Sequence, residues 1–387
     1  MKKEMGTRAE MAQHLVFGVV RRLQAGCLGM LDLLRYFVSQ LHLKALLAAA
    51  AITVGLAVAI VVGSRNLQDF DAALIGYCFA TLFATFGLAY RYAVWLTKPP
   101  TWKYWVRGWQ LAFSPALWWR LRSPRVLGEA VLRKLVIQDF VWHRGPHRWA
   151  GHMLIAVGCV MAAAITFPLV FGWIHFESAA IDPEPTYMIW VFGHPLREIS
   201  LHGLESWMVF HGLIVASFLV IPGVMIAMYR RMTDPGAAAV QRFGRDFLPL
   251  ILLFAVAFTG LLLWVSYEFL EGYFYSALAQ LHAWVVIATL LYLPFGKLFH
   301  IFQRPASLGI SYYRAANADR AQARCPVTDE DFAAKMQTDD LKEVLRELEF
   351  DYAAPDGCAK AWNEVSPKGR RMLIGRAHNK TRQNKFD

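Results

Sequence analysis

Six apolar stretches, each long enough to cross a lipid bilayer as a helix, constrain the fold of this chain more than any other feature. About 20 helical residues cross the roughly 30 Å of hydrocarbon in a bilayer. Windows of this kind fall at 44–63, 72–95, 149–172, 203–229, 247–267 and 279–302. Hydrophobic residues make up 56% of the 387 residues and charged residues 18%, which excludes an ordinary soluble domain. We predict an all-α fold, a polytopic bundle of about six transmembrane helices.

The charges of the loops predict the orientation of these helices. The stretch 98–148 carries ten basic and two acidic residues, and the loop 230–246 carries four basic and two acidic residues. The opposite loops, 64–71, 173–201 and 267–278, together carry two basic and eight acidic residues. By the positive-inside rule we expect both termini to be cytoplasmic. We assign the chain to a bacterial inner membrane. We interpret the formal net charge of +11 first as the basic excess that holds cytoplasmic segments in place, so nucleic acid is not an expected partner.

The same features divide the chain into three predicted parts. Residues 1–43 form a basic, amphipathic lead that we expect to lie on the membrane surface. Residues 44–304 form the membrane domain, with its basic cytoplasmic loop at 98–148. Residues 305–387 form a cytoplasmic tail.

One segment of the tail has helical periodicity. Leu341, Val344, Leu345 and Leu348 repeat at i, i+3, i+4 and i+7 behind Thr338, which we predict to be the N-cap of a short amphipathic helix. Because the tail has few core residues, we expect it to dock on partner subunits rather than to fold alone. The alternative is a solvated, partly disordered tail.

Histidines inside the spans are the residues that point to chemistry, because ionisable side chains in a membrane are usually functional. His282 and His300 are 18 residues apart, which is five helical turns, so one continuous helix places both rings on one face about 27 Å apart. Two haems stacked across a membrane need a ligand near each surface, since each haem iron takes axial imidazoles. We therefore predict two b-type haems.

Ligands for the inner haem are predicted from depth. His300 lies four residues before Arg304, and His152 lies four residues after Arg148, so each is roughly 6 Å inside the cytoplasmic boundary. We predict that His152 and His300 hold the inner haem iron, with His147 as the alternative to His152. The basic residues at this edge, which are placed either to pair with haem propionates or only to anchor the helices, are Arg91, Arg148, Lys297 and Arg304.

Ligands for the outer haem follow from the same measure. His282 lies 22 residues, roughly 33 Å, before the cytoplasmic arginine that follows it, and His211 lies 19 residues, roughly 28 Å, before Arg230. We predict that His211 and His282 hold the outer haem iron, with His202 or His175 as alternatives to His211. For each of these histidines the competing interpretation is a hydrogen bond between helices.

Two runs of sequence resemble a known family. The run LYLPFGKLFH at 291–300, with His282 before it, resembles the last helix of the gamma subunit of respiratory nitrate reductases, and RWAGH at 148–152 is similar to the first ligand helix of that family. The membrane cytochromes b of heterodisulfide reductase and of sulfite-reductase-associated complexes are similar too. The resemblance implies a five-helix, two-haem electron-transfer unit at 72–304 that exchanges electrons with quinone and with cytoplasmic iron–sulfur subunits, some of which carry molybdenum or flavin.

The chain departs from the nitrate reductase subunits at one position. Ten residues after His152, where those subunits have a second histidine, this chain has Ala162. Either the outer haem takes its ligand from another helix, for which His211 is the candidate, or that haem is absent.

A quinone headgroup needs hydrogen-bond partners and a proton route to water, so its site is expected at a membrane edge beside a haem. Glu205 and His202 lie near the predicted outer haem, and Glu205 is placed to shuttle a proton. Glu271 and Tyr273 share this edge. The competing interpretation of Glu205 is a carboxylate at the water line of an acidic loop.

Other functions are weaker fits to the sequence. The five cysteines contain no Cys-x-x-Cys pair, so the chain encodes no self-contained iron–sulfur or zinc site. A proton-coupled transporter is one alternative, but the chain lacks the paired inverted halves typical of many transporters. A purely structural membrane anchor without haem is the other.

Overall fold

The computed structural model describes residues 42–113, 124–180, 185–238, 241–316, 321–350 and 362–383. The chain divides into two compact units, 1–48 and 49–387, and the contacts described below belong to the second. Most of the lead predicted at 1–43 lies outside the described residues.

Most of the described residues are helical. The helices of nine or more residues, in chain order, are α1 (Leu43–Gly63), α2 (Ile75–Leu96), α3 (Pro99–Ala112), α4 (Pro146–Val170), α5 (Leu204–Thr233), α6 (Leu248–Phe269), α7 (Tyr275–Tyr292), α8 (Leu308–Ala316), α9 (Lys335–Glu347) and α10 (Pro367–Gln383). Shorter helices and turns are Ala72–Leu74, Pro124–Val131, Leu132–Val136, Asp139–Trp142, Pro235–Ala238, Phe243–Phe247, Lys297–Phe299, His300–Gln303, Arg304–Ser307 and Trp362–Glu364.

Six helical segments are long and apolar enough to cross a membrane. They are Leu43–Gly63, Ala72–Leu96, Pro146–Val170, Leu204–Thr233, Phe243–Phe269 and Tyr275–Tyr292. Each overlaps one predicted window, so the prediction of a multi-pass membrane protein with about six spans is confirmed.

The sixth span departs from its predicted bounds. It ends at Tyr292 rather than at 302, and residues 293–296 form a turn before the chain becomes helical again at Lys297. Pro294 explains the break, because its ring clashes with the backbone carbonyl one turn earlier in a helix. Proline also has no backbone N–H to donate to that carbonyl. Only glycine fits two residues later, since a Cβ on Gly296 would lie 2.3 Å from the ring of Tyr292. The prediction of one continuous helix carrying His282 and His300 on one face is wrong.

The prediction of an all-α fold is confirmed for most of the described residues, but two small sheets lie outside the spans. The loop between α4 and α5 forms a three-stranded antiparallel sheet, β1 (Ile174–Ala180), β2 (Thr186–Val191) and β3 (His194–Ser200), in the order β1-β2-β3. β2 and β3 are joined by Phe192 and Gly193, which both have positive φ, 50° and 76°. Two such residues make the tight hairpin turn whose twist matches that of paired strands. In the tail, β4 (Gln322–Arg324) and β5 (Asp331–Ala334) form a second, two-stranded sheet.

Small residues let α4 and α5 approach closely. A Cβ on Gly158 would lie 2.8 Å from the carbonyl oxygen of Ala216, and a Cβ on Gly223 would lie 2.9 Å from that of Gly151. Glycine at such contacts lets helix backbones pack together in a membrane, where apolar burial alone does not hold helices together. This contact fixes the position of His152, the neighbour of Gly151.

The amphipathic helix predicted in the tail is confirmed as α9, but its start is not where we predicted it. Ala334, not Thr338, is the N-cap residue. Thr338 lies inside the helix, where its hydroxyl donates a hydrogen bond to the carbonyl oxygen of Lys335 over 2.8 Å.

The tail packs on α3 of the same chain. The buried carboxylate of Asp340 accepts hydrogen bonds from Nε (3.1 Å) and Nη2 (3.0 Å) of Arg107 and from the hydroxyl of Tyr313 (2.6 Å). Lys103 and Glu343 form a more exposed ion pair beside it, at 2.8 Å. The tail and the predicted basic cytoplasmic loop therefore contact each other directly.

A small core holds the rest of the tail together. Cys325, Val365 and Leu373 are buried in contact with one another, and Trp362 packs against them. Burial acts to raise the pKa of the Cys325 thiol, but hydrogen bonds from the side chains of Ser366 and Thr328 and from backbone N–H groups outweigh it and lower the pKa to about 6. These hydrogen bonds favour the thiolate form of Cys325, which is fully buried in the tail core.

Candidate functional site

The structure brings together the two histidines predicted to hold the inner haem. His152 lies in the second turn of α4, and His300 begins the short helix that follows the break after α7. Their ring centroids are 6.3 Å apart, and the ring planes are inclined at 77°. The two rings come from different helices and meet in spite of the break at Pro294.

The ring separation matches that of two imidazoles on opposite sides of one metal ion. A bond from a first-row metal to an imidazole nitrogen is about 2.0 Å long, so two such nitrogens on one ion are about 4 Å apart and the ring centroids roughly 6 Å apart. Nδ1 of His152 is buried and has no hydrogen-bond partner among the described residues. Nδ1 of His300 donates to the carbonyl oxygen of Lys297 over 2.6 Å, which leaves Nε2 of that ring for a metal.

Arg91 holds the break in front of His300. From α2, its guanidinium donates hydrogen bonds to the carbonyl oxygens of Pro294 and Gly296, the second at 3.0 Å. The same group lies 4.2 Å from the ring centroid of Phe299, the buried residue before His300. These are carbonyls that the broken helix cannot satisfy itself. We predicted Arg91 as a partner of a haem propionate or as an anchor at the cytoplasmic edge, and not as a support for this turn.

A second contact ties the break to the start of the fifth span. Lys297 forms an ion pair with Asp246, and the hydroxyl of Tyr292 donates a hydrogen bond to the carbonyl oxygen of Gly244. Asp246 is 8% exposed and also accepts from the backbone N–H of Arg242 at 2.9 Å. The segment before His300 is thus fixed from two neighbouring spans.

The predicted propionate partners already have partners within the protein. Arg148 lies 3.7 Å from Asp234, and Arg304 lies 4.1 Å from the ring centroid of Phe140. Burial and the neighbouring Arg144 lower the pKa of Arg304. Arg304 stays charged, since an arginine side chain does not lose its proton in proteins. The pairing of Arg148 and Arg304 with haem propionates therefore stays a prediction.

The predicted outer ligands make separate contacts. Nδ1 of His282, in α7, lies 2.9 Å from the hydroxyl oxygen of Thr259, whose single proton goes to the carbonyl oxygen of Ala255 at 2.7 Å. His282 is therefore the donor in this bond, and its Nε2 is left for a ligand. Nδ1 of His211, in α5, donates to the carbonyl oxygen of Trp207 over 3.0 Å.

The rings of His211 and His282 do not face each other as those of His152 and His300 do. The ring of His211 stacks on that of Trp207, with centroids 5.0 Å apart and planes at 10°. Within the described part of the chain no contact joins the rings of His211 and His282. The outer pair stays a prediction.

The alternative ligands lie in exposed or extra-membrane positions. His147 is an exposed residue in the first turn of α4, and His202 is exposed in the turn before α5. His175 is in β1, where its ring stacks on Trp190 with centroids 5.8 Å apart, and it faces the carboxylates of Asp69 and Glu177 at 3.9 and 3.5 Å. None of the three has a histidine beside it among the described residues.

A cavity of about 410 Å³ opens between α5 and α6 beside His211. Its volume is in the range of small-molecule sites. The predicted quinone residues are elsewhere: Glu205 forms an ion pair with Arg197 at 2.7 Å, and neither Glu205 nor His202 lines the cavity. The lining residues are Trp207, His211, Ile214, Val215, Phe218, Trp264 and Glu268.

A site for a bare metal ion is not found in the described ranges. They hold no group of three or more His, Cys, Asp or Glu side chains able to bind a metal. An iron porphyrin brings four nitrogen ligands of its own and needs two axial ligands from the protein. The pair His152 and His300 fits this requirement and does not fit a structural zinc site, which needs four protein ligands.

Comparison with known proteins returned no match: no family model, no curated protein and no solved structure is significantly similar to this chain. The resemblance to the nitrate reductase gamma subunit therefore stays a prediction from sequence.

Proposed function

We propose that this chain is a dihaem b-type cytochrome, the membrane subunit of a multi-subunit oxidoreductase that relays electrons between the quinone pool and a cytoplasmic iron–sulfur partner. The observation that carries the proposal is the pair His152 and His300, with ring centroids 6.3 Å apart. The buried Nδ1 of His152 has no hydrogen-bond partner among the described residues, which leaves this nitrogen available as a ligand.

The chain's own part in this function is to supply ligands and to fix their orientation. Haem supplies one-electron redox chemistry when it is bound. The backbone carbonyl oxygen of Lys297 accepts a hydrogen bond from Nδ1–H of His300, which sets the tautomer of this ligand. Arg91 fixes the backbone of the turn that precedes His300. Arg148 and Arg304 are the basic residues that we assign to the propionates.

For the outer haem we propose His282 together with His211. Support comes from the hydrogen bonds of both rings, because Thr259 and the carbonyl of Trp207 each accept the Nδ1 proton and leave Nε2 for iron. The rings are not paired in the same way as His152 and His300. Binding of the outer haem therefore requires the side chains on α5 and α7 to rearrange.

The quinone site of this proposal is the cavity beside His211. Two indole rings, Trp207 and Trp264, offer surfaces for a flat ring, and Glu268 offers a hydrogen-bond partner and a proton route. Glu205, the residue predicted from sequence, is engaged with Arg197. The cavity therefore favours Glu268 over Glu205.

Quinone binding tests this choice. We expect Glu268→Gln to weaken binding of a soluble menaquinone analogue about tenfold, since a hydrogen bond to a charged group contributes about 1.5 kcal/mol. Quenching of tryptophan fluorescence in the purified chain measures the affinity. The matched control is Glu205→Gln, which removes the same charge from a residue that does not line the cavity and should leave affinity within about twofold. A larger loss in Glu205→Gln would return the site to that residue.

The partner in this proposal is a cytoplasmic iron–sulfur protein, with molybdenum or flavin in the same complex. The basic cytoplasmic loop and the tail, joined through Arg107 and Asp340, form the surface that we assign to it. Basic patches favour acidic partners by steering their approach. We place the complex in the inner membrane of a bacterium, with both termini cytoplasmic.

A reduced-minus-oxidised optical spectrum of the purified chain tests the proposal as a whole. We expect b-type absorption bands and about two haems per polypeptide, or about one if the outer site is empty. A colourless protein with full helical content would contradict the proposal and favour the transporter or the structural anchor.

A further inference from the structure

We propose that α10 is a docking surface for anionic phospholipid headgroups. The helix, PKGRRMLIGRAHNKTRQ, carries six lysine and arginine residues and no carboxylate. This inference is independent of haem and of the proposed function, because it rests on the charge and exposure of the tail alone.

The first half of α10 packs into the tail core. Leu373 is 2% exposed in the tail core, and a Cβ on Gly369 would lie 2.9 Å from Sγ of Cys325. From Ile374 to Lys380 every residue is exposed, so the helix continues for about two turns beyond the core. A helical segment of this length has little stability of its own in water and gains most from a surface that covers it.

The exposed part is strongly basic. Arg371 and Arg376 form no ion pair among the described residues. By contrast, Arg324 pairs with Asp329 at 2.6 Å, and Lys368, at the start of α10, pairs with Glu330 at 3.5 Å. Met372 and Ile374 add apolar side chains that are 40% and 47% exposed. Basic residues with interspersed apolar ones are typical of helices at an anionic membrane surface.

Contacts tie the tail to the end of a span, which makes the bilayer surface the candidate polyanion for this helix. α3 begins at Pro99, three residues after α2 ends at Leu96, and the tail is fixed to α3 through Arg107 and Asp340. Lys342 and Glu364, 2.5 Å apart, join α9 to the segment that leads into α10. The tail core is therefore tied to the end of a span by two helix contacts.

The aromatic face of α3 supports the same location. Trp102 and Trp109 are 52% and 51% exposed, and stacked or edge-on ring contacts run from Trp102 through Trp105 and Trp109 to Phe113. Aromatic rings of this kind lie at the headgroup level of a bilayer. Lys103 and Arg107, which hold the tail, lie on another face of the helix.

Hydrogen exchange of the full chain in lipid nanodiscs tests the proposal. In discs of phosphatidylcholine with about 30% phosphatidylglycerol, we expect the amides of 374–380 to exchange roughly tenfold or more slowly than in pure phosphatidylcholine. Each basic residue near an anionic surface changes binding about fivefold, so Arg371→Gln with Arg376→Gln should cancel most of the protection. Protection should also fall in 0.5 M salt, where charges are screened over a few ångströms.

Two further variants keep the test specific. Arg324→Gln with Arg346→Gln removes the same charge from exposed positions outside α10 and should keep the protection. Arg371→Lys with Arg376→Lys should keep it too, because the charge remains. Slow exchange of the Leu373 amide in every variant shows that the tail core is folded.

Three results would overturn the proposal. One is equal exchange of 374–380 in anionic and neutral discs. Another is protection that survives in the double glutamine variant, which would indicate apolar contact. The third is protection that arises only when a soluble acidic protein is added, which would make α10 a protein-binding helix.

Discussion

Replacing His300 with alanine is expected to remove one haem from the purified chain and to lower its content from about two per polypeptide to about one, or from one to none if the outer site is empty. The reason is that the second imidazole of the pair comes from His152, on another helix, and cannot bind iron from both sides. His152→Ala should have the same effect. Haem extraction and quantification from the detergent-purified variants measure it.

His143→Ala is the matched control for this experiment. His143 also donates its Nδ1 proton to a backbone carbonyl, that of Asp139, at 2.7 Å. It lies outside the spans, and no second ring lies beside it among the described residues. Its loss should leave haem content unchanged. Full haem content in His300→Ala, or an equal loss in His143→Ala, would remove the assignment of the inner pair while leaving the membrane topology intact.

The sequence predicts the spans and the proximity of His152 and His300, because span length and depth can both be measured along the chain. Length and apolarity decide which segments cross a membrane, and the distance to a boundary arginine gives the depth of His152 and of His300. The spacing of His300 from Arg304 survives the break at Pro294, since His300–Gln303 remains helical.

The features that the sequence does not predict depend on contacts between distant residues. Arg91 contacts carbonyl oxygens more than 200 positions away, and Asp340 meets Arg107 across a similar separation. An arginine inside an otherwise apolar span was the available signal for Arg91, since such residues usually satisfy a specific partner. No comparable signal marks Asp340 among the many acidic residues around it.

The outer site shows where depth fails as a guide. His211 and His282 are matched in depth along the sequence, but depth does not fix the direction in which a side chain leaves its helix. His211 stacks on Trp207 and lines the cavity between α5 and α6. His282, on α7, contacts Thr259 of α6. Rotation about the helix axis therefore separates residues that depth alone pairs.

Asp340→Asn is expected to loosen the tail from α3 more than any other single change there. Removing one member of a wholly buried ion pair costs about 3–5 kcal/mol. Here the side chain of Arg107 keeps 34% of its exposure, so we expect about 2–3 kcal/mol. Hydrogen exchange of the α9 amides in the full chain should then be about 30- to 150-fold faster, since 1.4 kcal/mol corresponds to about tenfold.

Glu343→Gln is the control, and pH gives an independent check of the same contact. The pair of Glu343 with Lys103 is partly exposed, so its loss should cost less than about 1 kcal/mol. Burial acts to raise the pKa of Asp340, but the hydrogen bonds from Arg107 and Tyr313 outweigh it and hold the pKa below its ordinary value. The stabilisation is therefore complete above the unfolded pKa of about 3.9 and is lost as the pH falls through the lower, folded value. Two results would show that Asp340 does not hold the tail. One is equally fast exchange of the α9 amides in Asp340→Asn and Glu343→Gln. The other is loss of protection in the wild-type chain already between pH 7 and pH 5, where Asp340 remains ionised.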